Sequence, residues 1–390
     1  MFAWITNVLA ALIVSAALVV ILKRVSPVFS LVDHPDRRKL HDGVVPLCGG
    51  IAIFATFAIV MMLHERATSL PVNFWAGLLV TLVVGVIDDR VDLPAVRRLA
   101  AQFLVALMLV NPFSGITIVT GIALPPALLA ISFPLLAIVA VFFVIGLINA
   151  WNMIDGVDGL AGGCAAVALF WLSVIAAYKG VTELILPMLV LLAAVCGFLA
   201  FNMRSPWVAR AKIFLGDAGS TALGAVIAYL IITLSIRANI AFTVLLWIVI
   251  VPVIDTLSLI VRRVQAGRSP LAADRWHLHH LLLDRAIPPA KTTMAIVATS
   301  GVCGGIGCMS VVLGASNLLM TFALLVPLIA HSVFVYLTPT GRLTTPQRRP
   351  APVPQLSVVP AGMGRPDLNI NHASVQPATP PRPGILSDAV

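Results

Sequence analysis

Charge is scarce in this chain. Asp, Glu, Lys and Arg together make up only 11% of its 390 residues, against roughly 25% in an ordinary soluble domain. With 60% hydrophobic residues and a mean hydropathy of +1.04, a water-soluble fold is excluded. Glutamate is nearly missing: of the 16 acidic residues, all but Glu65 and Glu183 are aspartates. The alternating pattern of a membrane β-barrel is missing too, which leaves helices as the spanning element. Cys48, Cys164, Cys196, Cys303 and Cys308 sit in or beside apolar runs with no ligand-like spacing. They indicate neither a disulfide frame nor a zinc site and are read as helix-packing residues.

What the chain has in abundance is apolar runs of about 20 residues, each long enough to cross a hydrocarbon layer as a helix. Spans fall at roughly 3–22, 46–63, 72–88, 97–111, 133–150, 160–178, 183–201, 213–234, 239–261, 292–314 and 317–337. The expected architecture is therefore an all-α integral membrane protein with about eleven transmembrane helices. Lys23 and Arg24 directly follow the first span and no basic residue precedes it. That pattern predicts an uncleaved anchor with a periplasmic N-terminus, and eleven crossings then place the C-terminus in the cytoplasm. On this topology every Lys and Arg is inside except Arg66, Lys179 and Arg237, and the aspartates collect on the same inner side. Basic residues in short loops set topology, so the net charge of +9 does not point to nucleic acid. Aspartates on that face need another explanation.

Residues 1–337 are read as one membrane domain. Residues 338–390, with eleven of the 27 prolines, are read as a disordered cytoplasmic tail. The outer link from Pro112 to Ser132 is expected to form a small hairpin.

Five inner-face segments carry the chemistry. DHPDRRKLHDGVVPLCGG, Asp33–Gly50, gathers Arg37, Arg38, Lys39 and His41 ahead of a Gly-Gly pair. Cations on a flexible backbone suit a phosphate-bearing ligand, although a topogenic loop accounts for the same residues. GVIDDRVDL places Asp88 beside Asp89 and, on a continuing helix, Asp88 on one face with Asp92. Carboxylates crowded at a membrane boundary repel one another, and hard oxygen ligands favour magnesium or manganese. In NAWNMIDGVDG, Asn149, Asn152, Asp155 and Asp158 recur every third residue and are expected along one side of a helix. Asp217 in FLGDAGS is either an N-cap or a metal ligand beside a helix N-terminus. In DRWHLHH, a helix would put His277 and His280 on one face, ready to hydrogen-bond a phosphate. Asp255 lies inside the ninth span and is read as a supporting residue in an ion pair or interhelical hydrogen bond.

These five segments, in this order, resemble the polyprenyl-phosphate N-acetylhexosamine-1-phosphate transferase family, most closely its bacterial undecaprenyl-phosphate GlcNAc-1-phosphate branch. The likeness runs from about Asp33 to Leu283. It implies an enzyme of the bacterial inner membrane, with its site facing the cytoplasm. Such an enzyme transfers sugar 1-phosphate from a UDP-N-acetylhexosamine to undecaprenyl phosphate and releases UMP, with Mg2+ or Mn2+ as cofactor. It also implies catalytic roles for Asp88, Asp89, Asp155, Asp158, His277, His279 and His280. Lys39, Asn149, Asn152 and Arg275 would bind substrate, and Asp217 would hold metal with Asp88 and Asp89. A homodimer is compatible with the resemblance. Leu271 and Ala273 stand where an aromatic residue and a proline are expected, which leaves the sugar open. The rival readings are a phospho-MurNAc-pentapeptide transferase, against which DRWHLHH argues, and a transporter of an anionic solute or lipid.

Overall fold

The structure, a computed structural model, describes residues 2–33, 43–63, 70–110, 126–269 and 276–337. Lys39, Arg275 and the expected tail lie outside these residues. So does most of the expected hairpin, except that its end, from Pro126, belongs to a helix.

An apolar chain in lipid has no water to bond its backbone, so it satisfies its own N–H and C=O groups helically. The described residues do this almost throughout. In chain order the helices are α1 (Phe2–Val25), α2 (Gly49–Leu63), α3 (Val72–Val91), α4 (Ala95–Leu109), α5 (Pro126–Ile154), α6 (Leu160–Tyr178) and α7 (Thr182–Asn202). Then come α8 (Gly216–Ala238), α9 (Phe242–Leu245), α10 (Ile250–Gln265), α11 (Leu278–Asp284), α12 (Pro289–Val312), α13 (Asn317–Ala323) and α14 (Leu325–Tyr336).

Eight of the described helices, with α13 and α14 counted as one, are long and apolar enough to cross a membrane. The protein is thus a multi-pass helical membrane protein, but the expected eleven crossings are not reached on length and composition. Helices α2 and α4 have 15 residues each, about 22 Å at 1.5 Å per residue, short of a hydrocarbon layer of about 30 Å. The expected ninth span is broken, and α9 with its 3-10 turn meets α10 at 92°. Pro252 explains the break: it has no N–H to give the Ile248 carbonyl, so it is tolerated only in the first turn of a new helix.

Helix α8 is the hub, buried along most of its length and packed on α2, α3, α5 and α6. Two glycines let it approach its neighbours closely. A Cβ on Gly50 would overlap the backbone of Gly219, and one on Gly85 would lie 2.6 Å from the Ala218 nitrogen. The inner links are stitched to the start of α8. A two-residue ladder, β1 (Val32–Asp33) against β2 (Val45–Pro46), ends where the Phe214 N–H donates to the Pro46 carbonyl at 2.8 Å. The Gly49 and Gly50 N–H groups then donate to the Phe214 and Leu215 carbonyls at 3.0 and 2.9 Å.

Candidate active site

Helix α8 starts with a left-handed glycine, Gly216 at φ +75°. The first N–H groups of a helix have no partner within it, and they carry the positive end of its dipole. Here Asp89 of α3 satisfies two of them from outside: Oδ1 accepts the Asp217 N–H at 2.7 Å and Oδ2 the Ala218 N–H at 3.2 Å. A carboxylate held by two backbone donors is fixed in place while its other lone pairs stay available.

Asp88, 6% exposed, accepts the Leu93 N–H at 2.7 Å and pairs with Arg98 of α4 at 3.1 Å. Asp92 does not share its face. Leu93 precedes a proline and is biased away from helix, so α3 stops at Val91 and Asp92 turns to φ +50° as an exposed C-cap.

Asn152 of α5 reaches the same end of α8, donating to Asp217 Oδ1 at 2.6 Å and to the Ser220 hydroxyl at 3.1 Å. The side chain of Asp217 therefore belongs to the site, and its N-cap role is taken by Asp89. Asn149, one turn earlier, donates instead to Gln102 of α4 at 2.7 Å and to the Ile145 carbonyl at 2.8 Å. It fastens α5 to α4.

The helix expected to carry Asp155 and Asp158 ends at Ile154, so both acids lie in the loop before Gly159. Asp158 accepts Arg204 Nε at 2.7 Å and the Ala211 N–H at 3.2 Å, tying that loop to the segment before α8. Asp155 is surrounded by protein although part of its surface stays accessible. Burial, then the charges of Asp217, Asp89 and Asp158, push its pKa up to about 8.

His277 precedes α11 with extended backbone, so it does not share a helical face with His280. The three imidazoles nevertheless cluster. The His277 and His279 rings stack at 5.4 Å and 6°, and the His279 and His280 centroids are 4.3 Å apart. His279 lies against the backbone of Gly156, where a Cβ would overlap its Nε2. The histidines thus adjoin the loop of Asp155. Asp255 supports them, with Oδ2 3.1 Å from His277 Nδ1.

A small, half-open pocket lies between α3, α4, α5 and α8, lined by Val80, Val84, Val105 and Ile148 together with Asp88 and Arg98. The sequence alone assigned neither Gln102 nor Arg98 a place in the site. The signal for both was a polar face on α4, where Arg98 and Gln102 are four residues apart.

Residues 71–235, which include α3 and the carboxylates but end before the histidines, match glycosyl transferase family 4. An undecaprenyl-phosphate alpha-N-acetylglucosaminyl 1-phosphate transferase of Yersinia pestis is 30% identical over 306 residues, 77% of this chain and 83% of the relative. The chain belongs to glycosyl transferase family 4. A protein of the same name from Escherichia coli K12 is 30% identical over 294 residues, 74% of this chain and 78% of its own length. A Bacillus subtilis protein described as a probable transferase of this kind is 31% identical over 311 residues, 75% of this chain and 80% of its own.

Among the described residues, no three His, Cys, Asp or Glu side chains are already gathered closely enough to hold a metal ion. The donor chemistry of this family 4 site still fits a hard divalent cation. Asp89, Asp155 and Asp217 interact electrostatically, Arg98 offsets Asp88, and oxygen ligands of this kind suit magnesium.

Proposed function

We propose that the protein transfers N-acetylglucosamine 1-phosphate from its UDP-sugar to undecaprenyl phosphate, at the cytoplasmic face of a bacterial inner membrane. The observation that carries the reading is the meeting of Asp89, Asp217 and Asn152 at the N-terminus of α8, beside an apolar pocket that includes Asp88 and Arg98. A lipid phosphate needs both halves of that arrangement, an apolar trough for its chain and a cationic or metal-bearing end for its head. The named relatives point to the same chemistry.

An oxygen of the lipid phosphate attacks the β-phosphorus of the donor, and the α–β anhydride bond breaks. UMP leaves with the bonding electrons, so one phosphoanhydride replaces another. The obstacle is charge, because both reactants are anions. Mg2+ held by Asp88, Asp89 and Asp217 would supply neutralisation of the phosphate oxygens. The chain's own contribution is position. Asp89 is locked to the start of α8, Asn152 orients Asp217, and Arg98 sets Asp88 at the pocket. The histidine cluster, on the Asp155 side, faces the donor in this scheme and offers N–H groups to its phosphates. Eleven crossings with the N-terminus outside put all these groups at the cytoplasmic boundary, with α2, α4 and the broken α9–α10 pair counted as spans.

The test is purified protein with undecaprenyl phosphate and a panel of UDP-sugars, reading UMP and the mass of the lipid product. UMP appearing only when both UDP-N-acetylglucosamine and the lipid are present supports the reading. Solute movement without UMP rejects it.

A further inference from the structure

Asp255, buried in α10 at 2% exposure, receives three groups from two other parts of the chain. Oδ1 accepts the Leu278 N–H at 2.8 Å and faces His331 Nε2 at 3.4 Å, while Oδ2 faces His277 Nδ1 at 3.1 Å. A carboxylate accepts and cannot donate, so each facing ring nitrogen must carry the hydrogen. His277 is thereby held as the Nδ1–H tautomer, the way an orienting acid fixes an imidazole. His331 comes from α14, far along the chain from the histidine segment. Its side chain is only 10% exposed, and a buried imidazole in an apolar span calls for a partner of this kind.

The same helix grips both ends of the connection that carries the histidines. Tyr336 donates to Gln265, the last residue of α10, at 2.9 Å, and the Arg285 guanidinium just after α11 lies 4.8 Å over the Phe334 ring. Arg262 of α10 donates to the Trp276 carbonyl at 2.5 Å, and within the connection Arg268 lies 4.9 Å over the Trp276 ring. From His277 the order passes by stacking to His279, which meets Gly156 next to Asp155. The apolar pocket includes Asp88 and no histidine, and in the functional reading above the imidazoles face the sugar nucleotide.

We infer that His331 is a positioning residue for the transfer. Through Asp255 it sets the tautomer and place of His277, and through the stacked pair the place of His279, so the last helix of the bundle governs donor binding without touching substrate. This rests on the functional reading above.

The experiment compares His331→Ala and His331→Gln in the full-length protein in lipid nanodiscs, measuring kcat and KM separately for the UDP-sugar and for undecaprenyl phosphate. Alanine is expected to raise the donor KM about tenfold or more, with the acceptor KM within about twofold. Glutamine, whose amide can donate to Asp255, is expected to return the donor KM to within about threefold of wild type. The proposal is overturned if alanine leaves the donor KM within about twofold of wild type, or if both variants weaken donor and acceptor alike. A second readout needs no turnover: tryptic cleavage after Arg268 should be faster in His331→Ala and near wild type in His331→Gln. Unchanged cleavage in the alanine variant removes the proposed clamp. A wild-type protein that makes no UMP from any UDP-sugar rejects the functional reading instead, and the cleavage comparison then decides for or against the clamp by itself.

Discussion

Gly85→Ala adds one methyl group at the point where α3 crosses the first turn of α8. That methyl would lie 2.6 Å from the Ala218 nitrogen and 3.0 Å from the Asp217 carbonyl carbon, whereas uncrowded heavy atoms stand about 3.5 Å apart. These are backbone atoms and cannot rotate aside, so the two helices must separate by about 1 Å. Asp89 is one turn further along α3, and its 2.7 Å bond to the Asp217 N–H would stretch beyond about 3.5 Å, where it no longer counts as a hydrogen bond. Overpacking of this kind costs about 1–3 kcal/mol of stability. A displacement of about 1 Å at reacting groups costs about a hundredfold in rate.

The expectation is a protein that still inserts, with kcat for UMP release down about a hundredfold. Gly146→Ala is the control. It lies in α5 with nothing within 4 Å of its would-be methyl, and replacing a helical glycine there adds up to about 1 kcal/mol of helix stability. Turnover of Gly85→Ala within about threefold of wild type would refute the reasoning, because a shift of about 1 Å could not then have reached the carboxylates. An equal loss in Gly146→Ala would show that any added methyl in the bundle has the same effect.

Asp89→Asn and Asp217→Asn should each remove most turnover while leaving the protein in the membrane, and EDTA should stop wild-type activity until Mg2+ is returned. Near-normal magnesium-dependent rates in both variants reject these assignments. Asn152→Leu should lose far more activity than Asn149→Leu, since only Asn152 bonds Asp217; Asn149→Leu should instead lower stability by about 1 kcal/mol, the worth of its bond to Gln102. Asp155 binds its proton more tightly in the folded chain, near pH 8, than at the ordinary 3.8. The metal-free protein therefore loses stability as pH rises through that interval. Thermal unfolding without metal should show Asp155→Asn melting above wild type at pH 8, with the gap narrowing towards pH 5, and an equal gap at both pH values contradicts the assignment.

The apolar runs made the bundle legible, and the aspartates pointed to the carboxylates that meet near the start of α8, because both signals are local in sequence. What failed was periodicity carried past a helix end. Asp92 was aligned with Asp88, and Asp155 and Asp158 with Asn149 and Asn152, yet α3 stops before Pro94 and α5 at Ile154. A three-residue spacing fixes a face only while the helix lasts. The split between Asn149 and Asn152 was equally out of reach, since it depends on which neighbouring helix each meets. Gly85 carried no signal as a lone glycine in an apolar run, and its meaning comes wholly from the α8 backbone beside it. His331 did carry one, as an imidazole inside an apolar span, but nothing in the sequence joined it to Asp255, 76 residues away.

Asp89 links these observations. A free carboxylate on a helix end can take many rotamers, and a cation would have to order it at an entropic cost. Bonded to two N–H groups of α8, it is ordered before any ligand arrives. That arrangement requires α3 to lie within backbone contact of the first turn of α8, which a residue larger than glycine at position 85 prevents. The close helix crossing and the fixed carboxylate are therefore one feature, and a change that relaxes the packing should loosen that carboxylate even with every acid in place.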